Sequence, residues 1–342
     1  MKVLVIKRDK IGDLLLATPL LAQLKAGLPH AETHLLANDY NAWVVAGNPH
    51  VDRLWVYRRV RHAGRVSLGA AWQWLWQSLA LRRERYDWVI VANGDESPRA
   101  IRRGLSLGGV RTVARCAAAL KYPRLTDPLP PDASSHEVER LMGLLAPLGL
   151  KNPEEKIHPG YILPAAAAAF ARSWLAGHGL VPGKYVVLGL GARRPKKQPG
   201  TAQVLAWSAH LKQRWDLDTV FMWTPGKSTD PLYPGDDDVA RPVLDALSRG
   251  EAPQIHPFRG PIPEALGLIW SARTGIFPDS GLMHFAAASP GGVLGLFAEA
   301  DVSPAPAQWA PRGPRTDYLE AQKSVSELPD GLVYERLANL LA

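Results

Sequence analysis

Short apolar runs alternate with longer amphipathic stretches along the chain, which is the pattern of an α/β fold. In the first half, the apolar runs predict strands at residues 2–6, 33–37, 53–57, 88–92 and 111–114. Apolar positions spaced three to four apart predict helices over residues 13–26 and 136–148. Pro19 falls inside the first helix, so we expect that helix to kink or restart there.

The second half repeats the alternation, with strands predicted at residues 185–190, 219–223, 274–277 and 293–297. Residues 151–164 are rich in proline, glycine and charge, and an alanine-rich helix over 164–177 follows them. We therefore predict two domains, residues 1–160 and 161–342, each built on an open α/β sheet, with a final helix over 331–342 that packs on either half. Ligands of such sheets bind beyond the carboxyl ends of the strands, so a cleft between the domains is expected.

Composition excludes several classes of protein. A chain of 342 residues with 46% hydrophobic residues can bury two cores and is not intrinsically disordered. Cys116 is the only cysteine, which excludes an intrachain disulfide and fits a reducing compartment. The longest apolar stretches, residues 14–24 and 164–171, are too short to span a membrane, and no signal peptide is visible. We expect a cytoplasmic protein.

The charge balance is basic, with 40 Lys and Arg against 32 Asp and Glu and a pI near 9.6. A positive chain favours anionic partners: nucleic acid, a phospholipid surface or phosphorylated small molecules. Charge alone does not choose among them. No nucleic-acid reading module or basic helix is recognisable, so nucleic-acid binding is not expected.

The first polar segment, residues 7–13, directly follows the first strand and opens the first helix. Gly12 permits a tight turn, and Asp13 then lies near the helix start, where the helix dipole tends to lower a carboxyl pKa. Asp13 is either a helix N-cap or a carboxylate directed into the ligand site from the end of a strand.

A second segment, residues 189–199, begins like a dinucleotide-binding fingerprint but has Arg194 where the third glycine belongs, which excludes that interpretation. Its four cations, Arg193, Arg194, Lys196 and Lys197, suit a phosphate group or form a solvated basic loop.

The third segment spans residues 277–288. Ser280 can cap the helix that starts here, Gly281 allows close approach of a ligand, and the free N–H groups of the first turn can bind an anion. Asp279 could hold sugar hydroxyls, and His284 lies one turn into the helix. Alternatively, Asp279 and His284 only complete a turn at the strand end.

Together these segments resemble glycosyltransferase family 9, the heptosyltransferase-like enzymes of lipopolysaccharide assembly. The matching segments are Ile11-Gly12-Asp13-Leu14 to Thr18-Pro19-Leu20-Leu21, Leu28-Pro29-His30-Ala31-Glu32, His136-Glu137-Val138-Glu139-Arg140 with Leu148-Gly149-Leu150, and Pro278-Asp279-Ser280-Gly281-Leu282-Met283-His284. The last is the most specific, and the resemblance spans nearly the whole chain in the right order.

The resemblance implies a GT-B fold, in which two Rossmann-like domains with mainly parallel sheets face a central cleft and the second domain holds the donor. It implies an inverting transfer of heptose from ADP-heptose to a lipopolysaccharide inner-core acceptor, without a metal or other cofactor. Asp13 matches the proposed general base. The residues that match the donor site are Lys196 of a Lys-x-Trp-Pro pattern, Asp279, Ser280, Gly281, Leu282 and His284.

Three positions depart from the family pattern. Gln198 replaces the usual tryptophan, residues 223–228 lack the glutamate that often holds the nucleoside, and residues 289–292 differ from the common Leu-Gly-x-Pro. The donor base and sugar therefore stay open. The alternatives are a GT-B transferase using another nucleotide sugar or acceptor, including protein, or a catalytically silent relative that binds nucleotide sugars.

Trp72, Trp74 and Trp76 lie close together in the first half, near Trp55 and Trp88. They are either core residues or a platform for a sugar or lipid acceptor near a membrane surface. Arginines cluster around them at positions 58, 59, 61, 65, 82, 83, 85, 99, 102 and 103.

In family 9 the first domain handles the acceptor, so the resemblance assigns these cations to an acidic glycolipid or to anionic headgroups on the cytoplasmic face of the inner membrane. The acceptor-side candidates are Lys7, Arg8, Gly12, Arg58 and Arg61.

Overall fold

Two six-stranded parallel sheets, each covered by helices, form the framework of the computed structural model. The structure describes residues 1–58, 61–62, 65–66, 68–94, 97–151, 153, 157–191, 194–230, 234–301 and 305–342, without the side chains of 61, 62, 65, 66, 68, 70 and 71. The chain divides into two units, Met1–Ile162 and Leu163–Ala342. The prediction of an α/β fold with two mainly parallel sheets is confirmed.

Unit 1 contains the first set of elements. They are, in order, β1 (Lys2–Ile6), α1 (Ile11–Leu15), α2 (Thr18–Gly27), β2 (Glu32–Asn38), β3 (Arg53–Tyr57), β4 (Arg61–His62), β5 (Arg65–Val66), α3 (Leu68–Arg83), β6 (Trp88–Val91), α4 (Pro98–Ser106), β7 (Arg111–Arg115), β8 (Asp127–Leu129) and α5 (Glu137–Met142). Its sheet has the order β3-β2-β1-β6-β7-β8, and β4 pairs only with β5.

Unit 2 repeats this plan. Its elements are α6 (Ala165–Gly177), β9 (Tyr185–Gly189), α7 (Thr201–Trp215), β10 (Asp218–Met222), α8 (Asp237–Ser248), β11 (Ile255–Phe258), α9 (Ile262–Ser271), β12 (Thr274–Pro278), α10 (Gly281–Ala288), β13 (Val293–Phe297), α11 (Pro306–Trp309), β14 (Thr316–Glu320) and α12 (Asp330–Leu341). The sheet order is β11-β10-β9-β12-β13-β14.

In both sheets the chain starts at a central strand, builds outwards on one side and then crosses to the other. The reversal falls between β1 and β6 in unit 1 and between β9 and β12 in unit 2, and each of these pairs is parallel. At such a switch point the loops after the two strands diverge and leave a crevice beyond their carboxyl ends. Each unit therefore has one position where its topology favours a ligand.

The central strands are apolar throughout because helices cover both faces of each sheet. Leu4 and Ile6 of β1 pack with Val89 of β6 in unit 1, and Val186 and Leu188 of β9 pack in the core of unit 2. The last helix, α12, buries Val333, Leu337, Leu340 and Leu341 in that second core.

The N-terminal helical region restarts near Pro19, as expected. The helix predicted over residues 13–26 is divided, since α1 ends at Leu15 and α2 begins at Thr18 with Pro19 in its first turn. A proline ring is accommodated there, where its missing N–H is not needed. The predicted helix over 136–148 is α5 followed by a 3-10 segment, Gly143–Leu148.

Among the described residues, no helix is both long and apolar enough to cross a membrane.

Candidate functional site

A buried lysine lies at the switch point of unit 1. Lys7 follows β1 directly, and its side chain is fully shielded from solvent. Its Nζ lies 3.1 Å from Glu137 Oε1 and 3.2 Å from Asp9 Oδ2. Burial favours the neutral amine, but the carboxylates of Glu137, Asp9 and Asp13 outweigh it and raise the Lys7 pKa. Lys7 therefore stays charged, and its ammonium acts on the carboxylates around it.

Asp13 projects from the first turns of α1 toward this lysine. Its carboxylate accepts a hydrogen bond of 3.1 Å from the backbone N–H of Lys10. Burial raises the Asp13 pKa, Lys7 opposes that shift, and the charges of Asp9 and Glu137 add to it. The expectation of a lowered pKa is wrong because α1 has only five residues and the carboxylate is largely removed from water.

The N-cap interpretation of Asp13 is also wrong. Lys10 occupies the N-cap position with extended backbone, and Asp13 is the third residue of the helix. A carboxylate that is part buried, raised in pKa and placed beyond a strand end has the properties expected of a general base.

Asn93 completes this part of the site and was missed from the sequence. It follows β6, across the switch point from Lys7, and its Nδ2 donates to Asp9 Oδ1. Asn93 is only 4% exposed, and its Oδ1 has no hydrogen-bond partner among the described residues. A strand end followed by a small polar residue and glycine was the available signal.

Two guanidinium groups flank one tyrosine at the end of β3. Arg8 Nε donates to Tyr57 Oη at 2.6 Å, and Arg103 of α4 also lies over the Tyr57 ring. Burial lowers the Arg103 pKa and the nearby Arg8 lowers it further. Arg103 Nη1 is buried without a hydrogen-bond partner among the described residues. The arrangement leaves positive charge that an anion could neutralise.

The other acceptor-side candidates are placed differently. Gly12 is buried within α1, and Arg58 is exposed just after β3. The side chain of Arg61 lies outside the described residues, although its backbone forms β4. The structure thus groups Lys7, Asp13 and Gly12 near one strand end and Arg8 with Tyr57.

In unit 2, an ion pair bridges the switch point. Lys197 lies in a 3-10 turn after β9, and its Nζ is 2.5 Å from Oδ2 of Asp279 at the end of β12. These side chains are 12% and 10% exposed. The neighbouring Lys196 is 57% exposed and pairs with Glu299 Oε1 at 2.5 Å, which raises the Lys196 pKa. Lys197, rather than Lys196, is the lysine in contact with Asp279.

The start of α10 follows Asp279 directly. Ser280 occupies the N-cap position, but the expected side-chain cap is absent, and its buried Oγ has no partner among the described residues. Gly281 and Leu282 of the first turn are half-buried, whereas His284 is buried with its ring 6.5 Å from that of Trp309. The N-terminal N–H groups of α10 and Ser280 Oγ are available polar groups beside Asp279.

Carboxylates also lie at the end of β10, where the family pattern has a glutamate. Buried Gln198 donates through Nε2 to Asp236 Oδ1 at 2.7 Å, and burial raises the Asp236 pKa. Asp237 accepts hydrogen bonds from the Trp223 indole and from Arg259, which hold its pKa far below the ordinary value. These acids begin α8, so they come from later in the chain than the strand end itself.

Comparison with known proteins tests the resemblance. The sequence model of glycosyltransferase family 9 (heptosyltransferase) matches residues 74–324. Among curated protein sequences no match was found.

Several solved structures share the fold. A family 9 glycosyl transferase from Veillonella parvula has a TM-score of 0.79 at 18% identity, covering 99% of this chain and 97% of its own. ADP-heptose LPS heptosyltransferase II of E. coli has a TM-score of 0.73 at 20% identity, covering 100% and 98%. E. coli heptosyltransferase WaaC with ADP has a TM-score of 0.74 at 17% identity, covering 99% and 100%.

The family model covers more than half of the chain, and the structural matches extend over both units. The resemblance inferred from the motifs is thereby confirmed, together with the GT-B-like fold. The chain belongs to glycosyltransferase family 9, the heptosyltransferase family, and is a glycosyltransferase.

Proposed function

We propose that this protein transfers a heptose from ADP-heptose to an acidic glycolipid of the lipopolysaccharide inner core, with inversion at the anomeric carbon and without a metal. The observation that carries the proposal is the Asp13 carboxylate, whose burial beside Lys7 raises its pKa at the end of β1. The similar E. coli structures include WaaC with ADP and WaaC with ADP-2-deoxy-2-fluoro heptose, which supports this class of donor.

In this reaction Asp13 is the general base. Its carboxylate takes the proton of the acceptor hydroxyl as that oxygen attacks the anomeric carbon, and the bond from that carbon to the diphosphate oxygen breaks. ADP leaves with the bonding electron pair. Lys7 favours the ionised form of Asp13, because its ammonium opposes the rise in the Asp13 pKa that burial causes.

Unit 2 supplies the groups suited to the diphosphate. Lys196 and Lys197 are cations after β9, and the N–H groups of Ser280, Gly281 and Leu282 lie at the start of α10. Fixed donors and cations of this kind stabilise the negative charge that develops on a leaving diphosphate. In this proposal Asp279 accepts sugar hydroxyls, and His284 helps to bind the diphosphate.

The acidic acceptor is supported by the arginines of unit 1. Arg8 and Arg103 both lie at Tyr57, and neither has an acidic partner among the described residues. Arginine binds carboxylates and phosphates in a bidentate manner, which suits acidic sugars and their phosphates. Arg58 extends the same basic strand end.

The decisive experiment measures ADP release from ADP-heptose in the presence of an inner-core acceptor. Asp13→Asn is expected to lower kcat by about 100-fold to 10,000-fold, the usual contribution of a general base, while the Kd for ADP stays unchanged. In the wild type, kcat/KM is expected to fall on the acid side with an apparent pKa above 3.8, the ordinary value for Asp. Asp39→Asn, an exposed carboxylate after β2, is the matched control and should retain full activity.

Normal turnover by Asp13→Asn would remove Asp13 as the base. A thermal-shift panel of nucleoside diphosphates tests the donor separately, because a ligand of the folded state raises the melting temperature. A preference for UDP or GDP over ADP would overturn the ADP-heptose assignment. Binding of ADP-heptose without transfer to any acceptor would favour a catalytically silent relative.

A further inference from the structure

Helix α3 carries a stripe of exposed large apolar side chains. Trp72, Leu75, Trp76 and Leu79 are 62%, 51%, 61% and 37% exposed. Their spacing of three and four places them on one face of the helix. We call this set the α3 stripe.

The opposite face of α3 does the packing. Leu81 is fully buried, and the Trp74 ring packs edge-on against Tyr57 with centroids 5.6 Å apart. The α3 stripe therefore takes no part in the core of unit 1. Of the three tryptophans, Trp74 packs inwards, whereas Trp72 and Trp76 face solvent.

The other exposed large hydrophobic residues in the described part of the chain are scattered along the sequence and form no second helical stripe. They are Met1, Tyr40, Val56, Val110, Leu120, Ile162, Val181, Tyr318 and Leu332. Isolated exposed apolar residues are ordinary, but a contiguous apolar surface marks an interaction site. The α3 stripe is such a surface.

Positive charge borders the stripe. The same helix face continues from Leu79 into exposed Arg82 and Arg83 of the last turn. Arg82 Nε donates to Ser106 O at the end of α4, so the two helices are neighbours, and α4 adds exposed Arg99 and Arg102.

Acidic groups do not cancel this charge. Residues 58–103 contain ten arginines and four acidic residues. Two of the four, Glu84 and Asp87, already bind Lys2 of β1. Among the residues that the structure describes, Arg82, Arg83, Arg99 and Arg102 make the surface beside the α3 stripe basic as well as apolar.

We infer that α3 docks in the plane of an anionic lipid bilayer, with the α3 stripe in the headgroup region and the arginines on acidic headgroups. Tryptophan favours the boundary between headgroups and acyl chains, and arginines next to it gain from the negative surface potential. The docking goes beyond the proposed glycosyl transfer and does not depend on it, because bilayer binding requires neither nucleotide sugar nor acceptor.

A second copy of the chain is a poorer occupant of the stripe. In a two-fold dimer the same patch faces itself, so the two arginine clusters would be brought together. An anionic bilayer instead offers an apolar layer to the α3 stripe and negative charge to the arginines.

The test is co-sedimentation of the full chain with vesicles of phosphatidylcholine alone or of equal parts phosphatidylcholine and phosphatidylglycerol. The wild type should sediment with the anionic vesicles and stay in solution with the neutral ones. Trp72→Gln with Trp76→Gln should weaken the partition coefficient at least roughly tenfold. Arg83→Gln should weaken it about fivefold. Val181→Gln with Leu332→Gln, which removes exposed apolar side chains from unit 2, is the control and should bind like the wild type.

Failure of the wild type to bind anionic vesicles, or undiminished binding by the double tryptophan variant, would overturn the proposal. So would a wild-type dimer in sedimentation velocity that the double variant converts to a monomer, since the occupant would then be a second copy. Affinity for ADP is measured on the same proteins. Retained ADP affinity with lost vesicle binding separates this surface from the proposed donor site.

Discussion

At the scale of single residues, the charged form of the buried Lys7 is stabilised by the neighbouring carboxylates and not by water. Removing its ammonium in Lys7→Met leaves the Glu137 carboxylate, itself 2% exposed, without its Lys7 partner. Loss of one member of a buried ion pair typically costs roughly 3–5 kcal/mol, so the free energy of unfolding in urea should fall by about that amount. Lys2→Met, on the same strand, breaks part-exposed ion pairs that solvent screens, so its free energy of unfolding should fall far less. Equal losses for the two variants would show that Lys7 is not held as the structure indicates.

Ionisation of Asp13 should also change the free energy of unfolding, independently of catalysis. Its pKa is raised in the folded protein by burial, so ionising it opposes folding. Below 3.8 the group is protonated in both states and Asp13→Asn should leave stability unchanged. As the pH rises through the window from 3.8 to the raised pKa, the variant should become progressively more stable than the wild type, and the difference then stays constant. Urea denaturation across this pH range measures it.

Asp52 is the control, because its stability effect should change with pH in the opposite direction. Burial opposes its ionisation, but hydrogen bonds from Lys25 and the Thr33 backbone outweigh burial and lower its pKa. Asp52→Asn should therefore lose stability relative to the wild type as the pH rises through the lowered pKa and then its ordinary value. If both variants changed stability in the same direction, the environment assigned to Asp13 would be incorrect.

For Lys196 and Lys197, the sequence predicts the loop but not the contacts of each side chain. The motif locates the basic loop after β9, yet it cannot tell which ammonium reaches Asp279. That choice depends on the 3-10 turn Pro195–Lys197, in which successive side chains project about 120° apart. Asn93, by contrast, had a local signal in its position after β6, but its contact with Asp9 joins residues 84 positions apart and could not be predicted.

At the scale of elements, the central strands and the edge strand β3 could be predicted, whereas five other strands could not. All nine predicted strands are present, each end within one residue, because strands buried on both faces form continuous apolar runs. Of the strands missed, β4 and β5 have only two residues each, and β8, β11 and β14 lie at the edges of the six-stranded sheets. Edge strands tolerate Pro128, Pro257 and Asp317, which break the apolar pattern, since one side of the strand makes no ladder hydrogen bonds.

The close approach of β9 and β12 near their ends leads to a prediction about stability. A Cβ at Gly189 would overlap the ring of the fully buried Phe277. Gly189→Ala must therefore displace that ring or the strand that carries it, just before Asp279, at a cost of about 1–3 kcal/mol in thermal or urea unfolding. Gly191→Ala, two residues on, meets nothing within 4 Å and should change stability by less than about 0.5 kcal/mol. A neutral Gly189→Ala would mean that this approach of strand and ring is not maintained.

At the scale of the whole molecule, the two units have the same strand order and different chemistry. Unit 1 concentrates arginines and an apolar helix face, and unit 2 concentrates helix N-terminal N–H groups, paired lysines and carboxylates. The basic pI follows mainly from residues 58–103, which explains why composition alone pointed to anionic partners without identifying one. Family membership could be predicted because the motifs occur in order along the chain. The donor base, the sugar and the acceptor could not, because the residue types of a motif do not give the side-chain geometry on which ligand recognition depends.

The charges around Lys7 have a consequence for turnover. Three carboxylates, Asp9, Asp13 and Glu137, act on one lysine, and Glu137 also pairs with Arg140 at 3.3 Å. With every group ionised, the cluster carries one negative charge in excess. In the proposed reaction the proton released by the acceptor hydroxyl makes it electroneutral, so the product state is the one in which the buried charges balance. Resetting the enzyme then requires that proton to return to water, and deprotonation of Asp13 becomes a step of each catalytic cycle alongside release of ADP.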